Sequence, residues 1–406
     1  MRPQVVIVGG GAAGLVAAIA AARTARSLGA ALDVVVHEAG ERVGRKILVS
    51  GNGRCNLSNT GVAPGDYNDP AFVAPTLDAY GYAEIVEFFA GIGLTTYVDD
   101  EGRTYPSSNT ASAVLNVLRL EIDHLGVDVR TGSAVESVAS LRTDDPAPAV
   151  VVATGGGTTL LAGCGHTTSD FTPVVGPIRT DTEPIRGLSG VRVRCGARVF
   201  APGASEPGDS EVGELLFRDY GVSGVMVFDL SRYIVRGSTL EIDFVPDQDE
   251  PALESALAAR AASLSWRSAE GFFEGMLHPR VAGAVLRAAN ISAACPVPEM
   301  PVGALARALK HFTLSVLGPG DPAQAQVTRG GVRTSEIDPV TLESRVTPGV
   351  FVAGEVLDID GRCGGYNLHW AWASGLVAGE RAARWALEHS TPASAVPAAP
   401  AAQTAG

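Results

Sequence analysis

Short unbroken apolar runs alternate with helical patterns along the first forty residues. The run Val5–Val8 leads into Gly9–Gly11, an Ala-rich stretch over Ala13–Ser27, then the apolar LDVVVHE of 32–38. Strands apolar on both faces, joined by a helix, predict a βαβ unit in a parallel sheet covered on both sides. The first strand is predicted over Gln4–Val8. A Gly/Asn-rich loop follows at 39–60, helices at 80–95 and 110–125, and a strand pair at 127–138. A buried strand is read in AVVVATGG (149–156).

The texture changes near residue 180. RVRCGARVF, GELLFRD, GVMVFDLS and TLEIDFVP alternate with period two, which predicts an antiparallel sheet or small barrel. Residues 251–290 are rich in Ala, Leu and Arg and read as helical. The first style returns near 326, with a buried strand in GVFVAGEV (349–356) and a helix over Leu368–Trp385. The expected divisions are a first part of a Rossmann-like α/β domain at 1–179 and a β-rich insert at 180–250. A helical insert follows at 251–295, the β-rich return at 296–326, the second part of the α/β domain at 327–389, and a disordered tail at 390–406. No internal repeat is visible.

Composition narrows the function. With 406 residues, 46% hydrophobic, the chain has enough apolar mass for two or three domains. Forty-eight glycines and only 18% charged residues suit many tight turns around a buried sheet. A net charge of −13 argues against nucleic acid and anionic membranes, both of which need clustered cations. Five cysteines without a CxxC pair make neither a disulfide framework nor a zinc site, which fits reduced thiols in a cytoplasm. The apolar stretch Val5–Ala22 imitates a signal or membrane span, but its glycines serve a nucleotide-binding turn better.

That turn is Gly9-x-Gly11-x-x-Gly14, placed between strand and helix. Gly9 allows the tight turn, Gly11 lets a pyrophosphate approach the backbone, and Gly14 lets helix and strand pack closely. Glu38 ends the next strand, where a carboxylate accepts ribose hydroxyls and favours FAD or NAD over NADP. The continuation ERVGRKILVSGNGRCNLSN favours FAD, because its cations Arg45, Lys46 and Arg54 sit among small residues able to wrap a long dinucleotide. Ala153-Thr154-Gly155-Gly156 resembles the ATG element of flavoproteins. Thr347 with Val352-Ala353-Gly354-Glu355 resembles their second FAD signature.

Five blocks extend the likeness: 44–59, 100–107, 213–231, 328–345 and 353–375, with GRC-N and GGYN the most distinctive. They resemble the BaiN/YhiN-type bacterial flavoproteins, a group that includes aminoacetone oxidase-like chains. The resemblance runs to about residue 385. It implies a discontinuous FAD-binding Rossmann-like domain with a β-rich and a helical insert. It also implies FAD-dependent redox chemistry on a small organic substrate. The FAD-contacting positions it implies are Gly9, Gly11, Ala12, Ala13, Gly14, Glu38, Ala39, Arg45, Lys46, Gly53, Arg54, Cys55, Asn56, Val135, Thr154, Gly155, Gly354, Glu355, Asn367 and Leu368. The chain departs from the family where Gly157-Thr158-Thr159-Leu160-Leu161 leads almost at once to Cys164-Gly165-His166, about ten residues short of the usual spacing. His369 stands where the family usually has Gln.

Tyr366 and His369 are the candidate proton donors, His because its ordinary pKa of ~6.5 suits acid–base work near neutrality. Capping or packing is the default reading of His369, and Tyr366 reads as structural as readily as catalytic. Cys55 and Cys363 read as buried and inert. His166 and His278 lack sequence neighbours to pair with and read as structural; Trp370 and Trp372 read as packing. No second strand–GxGxxG–helix is present, so NADH or NADPH would bind transiently in the substrate cleft. Three activities remain open. They are NAD(P)H-dependent reduction of a conjugated double bond, oxygen-dependent amine oxidation, and FAD binding without turnover. An RNA-modifying role is a weaker fourth, disfavoured by the charge.

Overall fold

The computed structural model describes residues 2–144 and 146–390. The expected tail, apart from its first residue, lies outside the described residues. Two compact units emerge: residues 1–172 with 329–406, and residues 173–328.

The first unit is built on a five-stranded parallel sheet. Its order is Val350–Val352, Ala149–Val152, Gln4–Val8, Asp33–His37, Asp128–Arg130. Val6 pairs with Val35 on one side and Val150 on the other. Val5, Ile7, Val36, Val150 and Val151 are fully buried, as expected for a sheet covered on both faces. The first helix, Ala12–Ser27, packs against a long helix, Tyr366–His389. Gly375 and Gly379 make this contact possible, since a Cβ at either would lie 2.4 or 2.2 Å from the carbonyl oxygen of Ala13 or Ala17. Alanines 17, 18, 21, 378, 382 and 383 fill the contact with no exposed surface. Small side chains here trade individual burial for close backbone approach, and dispersion contacts gain accordingly.

Two expectations fail in this unit. The segment 39–60 is not loop throughout, because Arg45–Val49 forms a helical turn that buries Ile47. The stretch 127–138 holds only one strand, Asp128–Arg130; Val138 begins a short helix capped by Ser137. A small antiparallel sheet of Ser58–Asn59, Arg103–Pro106 and Thr96–Val98 completes the unit.

The second unit is a closed six-stranded barrel with helices. Strands Arg192–Phe200, Asp209–Arg218, Gly221–Ser223, Ile178–Thr180, Phe312–Pro319 and Thr239–Asp243 follow one another around it. Phe312–Pro319 alternates buried and exposed along its length, the period-two pattern of a barrel wall. GVMVFDLS is the exception to the strand reading. Val225–Leu230 is helical, with Met226, Val227 and Leu230 buried. Its alternating pattern is shared by a single helical turn with one buried face, and periodicity over six residues does not separate the two. Helices Glu250–Ser263, Pro279–Ala288 and Val302–Lys310 belong to this same unit; the last falls inside the stretch read as a β-rich return.

Candidate active site

The conserved logic of a parallel sheet places ligands beyond the carboxyl ends of its strands. Four such ends carry the sequence motifs: Gly9–Gly14, Glu38, Thr154–Gly157 and Gly354–Glu355. A Cβ on Gly14 would stand 1.8 Å from the Gly9 carbonyl oxygen, so only glycine fits there. A Cβ on Gly11 would meet nothing within 4 Å. Gly14 is therefore a packing glycine, and Gly11 borders open space at a helix N-terminus, where free N–H groups favour a phosphate. Ala12 is partly buried behind it and Ala13 is buried.

Glu38 does more than the sequence suggests. Its Oε2 accepts from the Gly10 N–H at 2.8 Å and its Oε1 from the Gly40 N–H at 2.7 Å. The carboxylate thus ties the glycine turn to the end of the second strand. Each oxygen retains a second lone pair for a ribose hydroxyl. Ala39 is exposed beside it, and Val135 is partly buried against the main core.

Across the sheet, Thr154 Oγ1 donates to the Gly157 carbonyl at 2.6 Å. Lys46 Nζ lies 2.6 Å from Glu355 Oε2, and a Cβ on Gly155 would lie 3.5 Å from that ammonium. Three motifs far apart in the chain converge here. Lys46 is one of only two lysines in the sequence, and its side chain is 74% exposed. Arg45 is exposed and forms no ion pair among the described residues. Gly53 and Arg54 are exposed too, with the Arg54 guanidinium 4.5 Å over the Tyr105 ring.

The GRC-N and GGYN blocks meet at the start of the long helix. Gly365, with φ +108°, sits against the chain; a Cβ there would be 2.5 Å from the Ser58 oxygen. Asn59 Nδ2 donates to the Gly364 carbonyl, and the Trp372 indole N–H to that of Leu57. Asn367 folds the glycine loop on itself. Its Oδ1 accepts from Gly361 N–H at 2.7 Å, while Nδ2 donates to the Gly361 and Arg362 carbonyls. Asp360, fully buried, holds Arg329 through two bonds of 2.7 and 2.9 Å. Leu368 is partly buried, and Gly354 N–H donates to Ser374 Oγ. Asn59, Asp360 and Arg329 lay inside quoted blocks, but no spacing rule marks side chains that brace a loop from 31 residues away, as Arg329 and Asp360 do, or from 305, as Asn59 does.

Two candidates prove structural. His369 is fully buried; its Nδ1 lies 2.8 Å from Ser58 Oγ and its Nε2 3.2 Å from the Tyr80 carbonyl. A carbonyl only accepts, so Nε2 carries the proton, and Nδ1 accepts from the serine. Burial pushes the imidazole down to about 4, only partly opposed by its bond to Tyr80. With both nitrogens engaged, His369 braces the loop and is not a proton donor to substrate. Cys55, mapped by resemblance to an FAD contact, is fully buried in the main core. Burial raises its thiol to about 12 and its N–H donates to the Ser50 carbonyl, so Cys55 is inert packing; Cys363, read the same way from the sequence, is only partly buried.

His166 is structural, yet it does not lack partners. Its Nδ1 meets Glu336 Oε2 at 3.0 Å and its Nε2 meets Ser344 Oγ at 2.9 Å. Hydrogen bonds from Thr167, chiefly its side chain, and then from His166 hold the Glu336 carboxyl below its usual range. The short connection after Gly157 is thereby anchored at its far end. His278 caps the helix Pro279–Ala288, accepting from the Arg280 N–H. Trp370 and Trp372 are both buried and donate to different carbonyls.

These residues fit FAD. Gly11 leaves a cradle, Glu38 stands at the ribose position, and Asn56 Oδ1 is a buried acceptor with no partner among the described residues. Among the described residues no His, Cys, Asp and Glu group could hold a metal, and no helix is long and apolar enough to cross a membrane.

The family model described as "HI0933-like protein Rossmann domain" matches residues 3–381. The chain is 36% identical to a 3-dehydro-bile acid delta(4,6)-reductase of Clostridium scindens, across 93% of this chain and 98% of the relative. It is 27% and 28% identical to ribosomal RNA dihydrouridine synthases of Haemophilus influenzae and Escherichia coli. Those matches cover 91% and 92% of this chain and 96% of each relative. The chain therefore belongs to the HI0933-like Rossmann family and is a flavoenzyme of the oxidoreductase class.

Proposed function

We propose that this protein uses FAD to reduce a carbon–carbon double bond conjugated to a carbonyl in a small organic substrate, with NADH or NADPH as the transient electron source. The observation that carries the reading is the 36% identity, over nearly the full length of both chains, to a delta(4,6)-reductase. The dihydrouridine synthases support the same bond change, since dihydrouridine differs from uridine by two hydrogens across a ring double bond next to a carbonyl.

Bound FAD supplies the two-electron redox chemistry. The chain's own residues bind and orient. Gly11 and the first N–H groups of the helix Ala12–Ser27 receive the pyrophosphate, with Arg45 and Lys46 as nearby cations. Glu38 accepts from the ribose, and Glu355, steadied by Lys46, takes the ribityl hydroxyls. Reduction of the double bond also requires a proton at carbon. With His369 buried, the Tyr366 hydroxyl, partly buried at the first residue of the long helix, is the candidate donor. The protein acts in the cytoplasm.

An RNA substrate is the second reading, favoured by the two ribosomal RNA relatives and opposed by the −13 net charge. One experiment orders these readings. The flavin-loaded protein is mixed anaerobically with NADH or NADPH, then offered a steroid enone or unmodified ribosomal RNA. Bleaching by the nicotinamide and reoxidation by the enone is expected. Bleaching only by an amine, with peroxide released in air, would replace the reductase with an oxidase. Flavin that no donor reduces would leave a binding protein without turnover.

A further inference from the structure

In the second unit, the connection from barrel to helices is held by two neighbouring side chains. It runs from the strand Thr239–Asp243 through residues 244–249 to the helix Glu250–Ser263. Lys310, buried at the end of the helix Val302–Lys310, holds its middle. Its Nζ lies 2.6 Å from Asp243 Oδ2 and donates to the Val245 and Gln248 carbonyls. The Phe244 N–H donates to the Leu309 carbonyl alongside. The next residue, His311, spans the two ends. Its Nδ1 lies 2.9 Å from Glu241 Oε2 and its Nε2 3.1 Å from Glu250 Oε2.

An ionised carboxylate only accepts, so the ring bonds both of them only when both nitrogens carry protons. Lysine is a lasting cation, whereas imidazole changes its charge between about pH 5 and 8. The other charged groups around the ring have partners of their own. Arg198 Nη2, on the neighbouring barrel strand, lies 2.6 Å from Glu241 Oε1. Asp247 pairs with Arg194, and Asp249 caps the helix by accepting from the Ala252 N–H. Glu254, one turn into the helix, points toward Gly303 beside Arg307. The strand Phe312–Pro319 brings no charged residue. Glu250 has only His311 among the described residues.

A neutral ring turns one lone pair toward a carboxylate. Glu241 is the more enclosed acceptor, its side chain 14% exposed against 34% for Glu250. Leaving the more buried group unpaired costs more, so the remaining proton serves Glu241 and Glu250 loses its bond. We propose that His311 is a pH-operated strap. Charged, it ties the first residue of the helix Glu250–Ser263 to the barrel wall; neutral, it lets that end go while Lys310 keeps the rest of the connection in place.

Hydrogen exchange of the purified, flavin-loaded full chain tests this, with each rate divided by the intrinsic rate at the same pH. Protection in the first two turns of Glu250–Ser263 should fall about threefold between about pH 6 and pH 8.5, the scale of a partly exposed ion pair. The barrel strand Asp209–Arg218, which holds no histidine, should not change. His311→Arg, charged throughout, should keep the higher protection at both pH values, and His311→Gln should show the lower at both. Glu250→Gln leaves His311 in place and should also abolish the dependence, because an amide accepts from the charged ring and donates to the neutral one. Constant protection in the wild type would overturn the proposal. So would a fall of the same size in His311→Arg, His311→Gln or Glu250→Gln.

Discussion

Two helices in the first unit begin the same way and serve opposite purposes. Ala12–Ser27 follows Gly11 and Tyr366–His389 follows Gly365, neither with a side-chain cap. Around Gly11 a Cβ would find open space; around Gly365 it would strike the Ser58 oxygen at 2.5 Å and Asn56 Oδ1 at 2.8 Å. One glycine keeps the chain out of the way of a ligand. The other admits the chain itself, so that two blocks far apart in sequence close on each other. A glycine before a helix therefore signals close approach without saying what approaches.

Substitution at Gly365 should have the largest effect. Gly365→Ala adds backbone strain to a collision with backbone, and we expect a loss of about 3 kcal/mol or more in urea unfolding. A near-neutral result would mean that the GRC-N and GGYN blocks are not packed together.

His369, in the same junction, should show in the pH dependence. Its folded-state pKa of about 4 lies below the unfolded ~6.5, so the unfolded chain takes up the proton first as pH falls. Stability is full above about pH 6.5 and is lost progressively down to about pH 4, by roughly 3 kcal/mol in all. Unfolding curves of the wild type and His369→Gln, compared across that window, isolate the contribution. Parallel pH profiles would refute a buried neutral imidazole.

Gly11→Ala tests the other helix start. Its stability should stay within about 0.5 kcal/mol of wild type, while FAD affinity falls about tenfold or more by fluorescence titration. Destabilisation as large as that of Gly365→Ala would erase the contrast between the two glycines.

The smallest effect belongs to the exposed Lys46–Glu355 pair. Glu355→Gln should change stability by less than about 1 kcal/mol. Bound FAD should slow acetylation of Lys46, which mass spectrometry can follow cleanly because the other lysine, Lys310, is buried with its ammonium on the Val245 and Gln248 carbonyls. Equal acetylation with and without FAD would place the ribityl site elsewhere.

Local signals carried the architecture well. The first strand, turn and helix, the acid Glu38, and the strands at 149 and 350 follow from apolar runs punctuated by glycine, because a strand buried on both faces tolerates no polar residue. The barrel followed from alternation. What escaped was either too short or too distant. Arg45–Val49 and Val225–Leu230 are single helical turns, too brief for their period to show. The partners of His166 lie 170 and 178 residues away, and those of His369 lie 311 and 289 away. Burial of His369 depends on those contacts, so nothing around position 369 could distinguish a catalytic imidazole from a brace.

The packing of the first helix against the long one also dictates an order of events during synthesis. At roughly 5–20 residues per second, a ribosome needs on the order of 20–70 s between finishing residue 27 and finishing residue 389. Throughout that interval the alanine face of the first helix has no mate, and the sheet lacks its edge strand Val350–Val352. The barrel unit, contiguous from 173 to 328, can be completed meanwhile. A nascent chain of this protein thus carries a finished second unit and an open nucleotide fold, and a chaperone that guards small-residue apolar faces would find its substrate there.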